Sequence, residues 1–396
     1  LEEQIEQWPR DVDIRTRLIN AYIAQYRWAD ALRHVRRLEE DDSALIKLEP
    51  KLLILKTRAY ATASDRTLEG DQARREMQRL LTALTDLIHK NPDRDEMLLL
   101  DAFIRTYMGE RDTAIRQLNG VIRRTESDEN RLLARMQLVE LYTRDGNIDA
   151  AIEQCQTAVQ EHPETSAPLI ALHALYISNK QLDTAQKLLE DGIETLPDDE
   201  AIKATYALVQ FFLRTDKRDR GRELLKVLAE RRPSDVQPRL VLLTLNEVQE
   251  QEDVVKRLVT ELQKIEGERG LRWRYEQAKH WLNTDQWRSK ESQISELLHY
   301  CNENDPEWSA PVVAMGALYE LTGKPSRAED AYRRMINTNP NAIEVVDRLL
   351  RLLERQKRYV EVSEVLNRLP PSRAWGQHEV VSYIGVGKYD KAIEIL

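Results

Sequence analysis

The chain has 396 residues and a net charge of −9, with only 13 Gly, 14 Pro and 3 Phe. Good helix formers dominate, and the β-branched and aromatic residues that strands need are scarce, so a strand-rich fold is not expected. The 41% of apolar residues is too high for disorder, and the 32% of charged residues is too high for one thick core. Because an acidic chain repels phosphate, nucleic acid is disfavoured as a partner, despite basic runs at 33–37 and 214–222.

The sequence contains none of the short patterns that usually carry chemistry. It has no phosphate-binding Gly-rich loop, no His-Glu-x2-His, no Cys-x2-Cys and no calcium loop, and its seven histidines are dispersed. Cys155 and Cys301 alone cannot build a disulfide framework. We therefore expect no enzyme activity, no cofactor and no metal ion. No signal peptide and no apolar run of about 18 residues is visible, so we expect a cytoplasmic protein without a membrane span.

A pattern recurs along the chain: a large and a small apolar residue, an aromatic residue, a turn and then an alanine. Its first copies lie at 18–35, at 60–92 with an insertion near 62–71, and at 102–121. The next copy, 138–163, is complete. It contains in order Leu138, Val139, Tyr142, Gly146, Ala151, Cys155, Ala158 and Pro163.

The copy at 315–340 matches this one position for position, a third copy at 172–197 has the same spacing, and Pro163 and Pro197 are 34 residues apart. Each element has a physical reason. The glycine allows the positive φ that ends the first helix, and the proline ends the second helix because it lacks an amide hydrogen. Val139 and Ala151 are small because the two helices cross closely there; His173 departs from this rule. Ser326 and Glu329 have the spacing of a capping box.

Weaker copies complete the chain, at 208–233, 242–262, 278–306 and 349–366, and a last one is incomplete after Gly387. The pattern resembles the tetratricopeptide repeat. The resemblance implies an all-α fold, a right-handed α-solenoid (superhelix) of about eleven antiparallel helix pairs. Three segments are expected: 1–92 with insertions, 93–266, and 271–396 with a truncated last repeat. We also expect the chain to be part of a larger protein or to be capped by a partner, because a solenoid needs a polar cap at its end.

Two breaks interrupt the repeat, at 41–50 and at 267–270. Either of them could bend the superhelix or act as a tolerated loop insertion. Of the tryptophans near the second break, Trp273 is expected to pack against a neighbouring repeat. Trp308 resembles the aromatic residue that anchors the start of a first helix.

In the tetratricopeptide family the first helix of each pair lines the concave groove, and this register predicts which residues a partner would contact. Two faces are small and apolar, and two are polar. The carboxylate clamp of chaperone-tail-binding relatives is not present whole, and Arg17 with Asn20 is at most a fragment of it. The remaining candidates are Ala167, Ile170, Ala171, Ala174, Lys203, Tyr206, Gln210, Arg272, Tyr275, Lys279, Ala310, Val313, Ala314 and Ala317.

The resemblance implies a protein-interaction scaffold, of bacterial type, that binds a partner polypeptide on its concave face. An apolar groove suits an amphipathic helix or a hydrophobic peptide, and equally a tight superhelix that packs on itself. The alternative function is a regulatory or sensor arm of a larger enzyme, such as a protease, whose catalytic domain lies outside this chain. An RNA-binding repeat would require salt-sensitive binding, which the acidic balance argues against.

Overall fold

A computed structural model describes residues 14–15, 17–19, 34, 37, 70–90, 94–284, 286–339, 342–368 and 375–395. Asn20 and the copy at 60–92, apart from its last helix, lie outside these residues. Every regular element from residue 70 onward in the described chain is a helix: there are twenty α-helices and one 3-10 turn, Gly267–Arg269. None of the described helices is long and apolar enough to cross a membrane.

The chain forms two compact units, Leu1–Leu208 and Val209–Leu396. The helices of unit 1 are α1 Gly70–Lys90, α2 Asp95–Met108, α3 Arg111–Arg124, α4 Asp128–Arg144, α5 Ile148–Glu161, α6 Ser166–Ser178 and α7 Leu182–Thr195. Helix α8, Asp198–Arg214, contributes residues to both units. The three segments expected from the sequence follow insertions in the repeat and stay a prediction.

The helices of unit 2 are α9 Arg218–Arg231, α10 Gln237–Leu242, α11 Asn246–Gln249, α12 Glu252–Glu266, α13 Arg272–Leu282, α14 Trp287–Asn304, α15 Ser309–Leu321, α16 Pro325–Thr338, α17 Ile343–Arg355, α18 Tyr359–Leu366, α19 Gly376–Gly385 and α20 Tyr389–Ile395. The break at 267–270 lies inside this unit. It forms the 3-10 turn between α12 and α13.

Successive helices pack in pairs within each unit, and the first helices of neighbouring pairs also touch. In unit 1, α2 contacts both α3 and α4; in unit 2, α13, α15, α17 and α19 contact one another in turn. One layer of first helices therefore lies beside one layer of second helices, with the core between them. This arrangement confirms the all-α fold of stacked helix pairs.

The turns and crossings follow the repeat pattern. Gly146 and Gly323 have φ values of 74° and 70°, and Ala151, Ala185 and Ala328 are 0% exposed. Lys180 stands where the copies at 138–163 and 315–340 have glycine and still adopts a φ of 60°. The tertiary packing therefore imposes this left-handed turn even on a residue with a side chain.

Two features depart from the pattern. The buried ring of His173 donates from Nδ1 to the carbonyl oxygen of Ala185 at 2.9 Å. The two helices of this pair therefore meet through a hydrogen bond at the position where the repeat pattern has a small residue. Burial lowers the pKa of His173, and the bond to Ala185 opposes this shift.

The predicted capping box is wrong: α16 begins at Pro325 without a side-chain cap. Its Glu329 instead binds Arg358, the residue before α18, at 2.5 Å.

Candidate functional site

The first helix of the repeat after α9 is broken into two short pieces. Helices α10 and α11 are separated by residues 243–245. The side-chain amide of Gln249 donates to the carbonyl oxygen of Leu243, which satisfies a backbone group that the break leaves without its helical partner. Because this first helix is shortened, a cleft is open between α10 and α13.

This cleft has a volume of about 890 Å³. Helix α10 forms one side, the end of α12 with the following loop and α13 form the second, and the segment before α15 forms the third. Its lining residues are Gln237, Leu240, Val241, Thr244, Glu266, Arg269, Gly270, Leu271, Arg272, Tyr275, Glu276, Asp305 and Trp308. The site thus lies on the side of unit 2 formed by first helices.

An aromatic pair gives the cleft an apolar patch. The rings of Tyr275 and Trp308 have centroids 5.0 Å apart and are tilted by 56°, an arrangement that aromatic quadrupoles favour. Burial raises the pKa of Tyr275 to about 12. Its hydroxyl is therefore neutral at physiological pH and can offer a hydrogen bond to a ligand.

A buried carboxylate lies beside this pair. Glu276 is 7% exposed, and loss of water around its carboxylate raises its pKa. The ammonium of Lys279 lies 3.1 Å from Glu276 Oε2 and opposes that rise. The same ammonium lies 5.8 Å from the centroid of the Tyr275 ring. Lys279 therefore balances the negative charge of Glu276 on this side of the cleft.

Two arginines lie at the exposed edge of the cleft. Arg269 belongs to the 3-10 turn and Arg272 begins α13, and both side chains are exposed. Neither guanidinium forms an ion pair with any residue that the structure describes. A planar guanidinium without a partner is a ready donor to a carboxylate or an aromatic ring.

Residues 142–209 match the family model described as tetratricopeptide repeat. This stretch contains the end of one strong copy and all of the next, together with α5, α6 and α7. This part of the chain is tetratricopeptide repeat. Contacts between successive first helices are the arrangement by which such repeats bury a continuous core. No curated protein matches the chain.

Three solved structures are similar to this chain. The APC/C hetero-tetramer Cut9-Hcn1 is 14% identical, with 99% of this chain and 72% of that chain covered and a TM-score of 0.38. Naa15/Naa10 bound to HypK-THB is 13% identical, with 100% and 64% covered and a TM-score of 0.36. The human IFIT1 dimer with PPP-AAAA is 14% identical, with 97% and 89% covered and a TM-score of 0.40.

The structure brings some of the predicted groove residues together. Arg272 and Tyr275 line the cleft, and Lys279 reaches its wall through Glu276. In unit 1, Ala174 is exposed while Ile170 and Ala171 are half-buried. These predicted contacts therefore differ in how much surface they offer.

The other polar candidates do not reach the cleft. Lys203 is exposed and pairs with Glu200 at 2.5 Å. Tyr206 on the same helix is half-buried and Gln210 is exposed. Arg17 is also exposed, and Asn20 lies outside the described residues. A partner role for all of these residues stays a prediction.

Two predicted groove residues face the interior instead. Val313 and Ala314 are 8% and 7% exposed. Val313 packs in the cluster with α17, and Ala314 in the cluster with α13 and α14. Helix α15 is apolar on nearly every side, so its sequence did not show which face the neighbouring helices cover. Neither residue offers a surface to a partner.

Sequence reasoning missed several lining residues. The sequence places Arg269 in the 267–270 break and Trp308 at an anchoring position, and no pattern singles out Glu276. These residues line one cleft only because α10 and α11 are separated. The one indication of that separation in the sequence is the weaker copy of the pattern at 242–262.

His280 on α13 leads to a prediction on stability. It is 4% exposed, and its two ring nitrogens have no hydrogen-bond partner among the described residues. Other copies of the repeat have leucine at the same position: Leu141, Leu175 and Leu318. Burial lowers its pKa below the usual histidine value of 6.5, and Glu252 opposes this shift. The unfolded chain therefore binds the proton more readily, and the free energy of unfolding should fall as the pH drops below about 6.5.

His280→Leu should raise the free energy of unfolding by about 1–2 kcal/mol, because it removes a buried polar group without a partner. The gain should be larger at pH 5.5 than at pH 7.5. Urea denaturation at both pH values measures it, and His299→Leu, at an exposed site on α14, is the control. An unchanged pH dependence in His280→Leu would contradict the prediction.

Proposed function

We propose that this chain is a protein-interaction scaffold that receives a segment of a partner polypeptide in the cleft between α10, α13 and the start of α15. The observation that carries the proposal is the cleft itself, with an aromatic patch beside two unpaired arginines. Tyr, Trp and Arg are the residues most enriched among binding hot spots. Tetratricopeptide folds generally serve as non-catalytic scaffolds.

The form of the cleft supports a polypeptide as its occupant. Apolar side chains such as Leu240 and Val241 line the cleft together with polar and charged ones. A peptide segment presents both kinds of side chain and also has backbone groups that can bond to Gln237 and Thr244. The interface would have an apolar centre and a polar rim, as protein interfaces commonly do.

The two alternatives raised by the sequence predict different uses of the cleft. A regulatory arm of a larger enzyme would use the same cleft for another part of its own polypeptide. A groove that packs on itself would leave no free cleft beside α13. We therefore favour binding of a polypeptide segment, whichever chain supplies it.

Site-specific photo-cross-linking tests the proposal. Thr244 is exposed and lines the cleft, so p-benzoylphenylalanine in its place should form an adduct with a polypeptide in native extract. Lys256, exposed on the second helix α12, is the matched control position. Mass spectrometry of the adduct should locate the cross-link at residue 244. Equal yields from both positions, or none from residue 244, would contradict the proposal.

A further inference from the structure

The loop that carries Arg269 is held rigidly by its own neighbours. The indole of Trp273 donates to the carbonyl oxygen of Gly267 at 3.2 Å, and the backbone amide of Trp273 donates to Glu266 Oε2 at 3.0 Å. The guanidinium of Arg274 donates to the carbonyl oxygens of Glu268, at 2.6 Å, and Gly270. Most backbone carbonyls of the loop therefore bond to side chains of α13.

The second layer of this support comes from α14. Arg274 is stacked between two rings, with its Cζ 4.3 Å from the Trp273 centroid and 4.1 Å from that of Tyr300. Cys301 Sγ donates to the carbonyl oxygen of Leu271 at 3.3 Å. A β-carbon on Gly270 would overlap Glu266 and Trp273, so the loop also packs closely. The 267–270 break is a fixed edge of the cleft.

The charges of the lining do not cancel at this edge. Lys279 neutralises Glu276, whereas Glu266 accepts from the amide at the start of α13 and keeps its negative charge. Arg269, Arg272 and Asp305 remain, and no described residue forms an ion pair with any of them. Arg269, Arg272 and the loop-bound Arg274 therefore bring three positive charges to this edge, against the two negative charges of Glu266 and Asp305, on a chain whose net charge is −9.

We propose that the fixed edge of the cleft binds a carboxylate of the partner, so that the partner segment is acidic and carries an apolar side chain beside its acidic one. This inference rests on the proposed function. Arg269 and Arg272 would bind the carboxylate, because guanidinium–carboxylate hydrogen bonds are short and can be bidentate. Tyr275 and Trp308 would cover the neighbouring apolar side chain. Because the loop is already fixed, little conformational entropy is lost on binding.

Three synthetic nonapeptides test this inference by isothermal titration calorimetry with the full chain. All are N-acetylated and C-terminally amidated, so that only side chains carry charge. They share the same Leu and Phe residues, spaced by Glu, by Gln or by Lys. The Glu peptide should bind at least tenfold more tightly than the other two, although the chain as a whole repels it. Its affinity should fall with added salt, since the edge of the cleft is exposed.

Variants then identify the cations. Arg269→Gln with Arg272→Gln should reduce affinity for the Glu peptide about tenfold and leave the Gln peptide unchanged. Arg327→Gln, an exposed arginine of α16, is the matched control and should change neither affinity. Circular dichroism checks that the variants fold, which is expected because both arginines are exposed.

Failure of this inference differs from failure of the proposed function. If the Gln peptide binds as tightly as the Glu peptide and the arginine variants have no effect, the partner is not acidic, while the cross-link at residue 244 would still support a polypeptide site. Preference for the Lys peptide, or absence of binding by the Glu peptide, would likewise overturn the acidic partner.

Discussion

Gly316→Ala is expected to destabilise the α15–α16 pair by roughly 2 kcal/mol, although alanine is the better helix former. A β-carbon at this position would overlap Cζ and the hydroxyl oxygen of Tyr332 on the paired helix. Tyr332 is 0% exposed and its hydroxyl donates to Glu320 at 3.1 Å. The ring has no free space to move into without losing that bond, so the two helices must separate.

The matched control is Gly120→Ala in α3, where a β-carbon would have no neighbour within 4 Å. That variant should be more stable than the parent by about 0.5–1 kcal/mol, because alanine orders a helix at a lower entropy cost. Helix repeats do not unfold in one cooperative step, so amide hydrogen exchange of α15 and α16 should accompany urea denaturation. Equal stability of Gly316→Ala and the parent would show that Tyr332 does not constrain this crossing.

Arg239→Ala is expected to cost about 3 kcal/mol in the stability of unit 2. Arg239 is 6% exposed, and its Nε donates to Glu261 Oε2 at 2.8 Å. Its two terminal nitrogens donate to the carbonyl oxygens of Asp235, at 2.8 Å, and Ala229, at 3.3 Å. Removing the guanidinium leaves all three acceptors without this donor and releases the short helix α10 from α9 and α12.

Arg257 offers a control on the same carboxylate. Its Nε lies 4.0 Å from Glu261 Oε1 and its side chain is 62% exposed, so Arg257→Ala should cost no more than about 0.5 kcal/mol. Arg239→Met keeps an apolar stem and should lose most of the same stability, because the hydrogen bonds and not the packing are removed. Urea denaturation of the three variants measures the differences. Equal costs for Arg239→Ala and Arg257→Ala would contradict the argument.

The helix pairs could be predicted because their signal is local and repeated. Ala151, Ala185 and Ala328 are fully buried, as the pattern required, and Gly146 has the positive φ that ends a first helix. Each of these residues serves a contact within one helix pair. A window of about 34 residues therefore contains the whole physical reason for its residue type.

The candidate site could be predicted only in part. The family register pointed to Arg272 and Tyr275, because positions on a first helix repeat from copy to copy. It failed for Val313 and Ala314, since a helix that is apolar on nearly every side has no amphipathic pattern to orient it. The register could not point to Arg269, because a loop between two repeats has no fixed position in the repeat pattern.

The sequence by itself determined that the chain is built of helices, where most of them turn, and which small residues lie at the crossings. These features depend on propensity and on spacing within a repeat. Only the tertiary structure decided that α10 and α11 separate, that Arg274 fixes the 267–271 loop, and that a cleft opens beside Tyr275 and Trp308. Those features depend on contacts between residues of three successive repeats, and no single copy of the pattern contains all the partners.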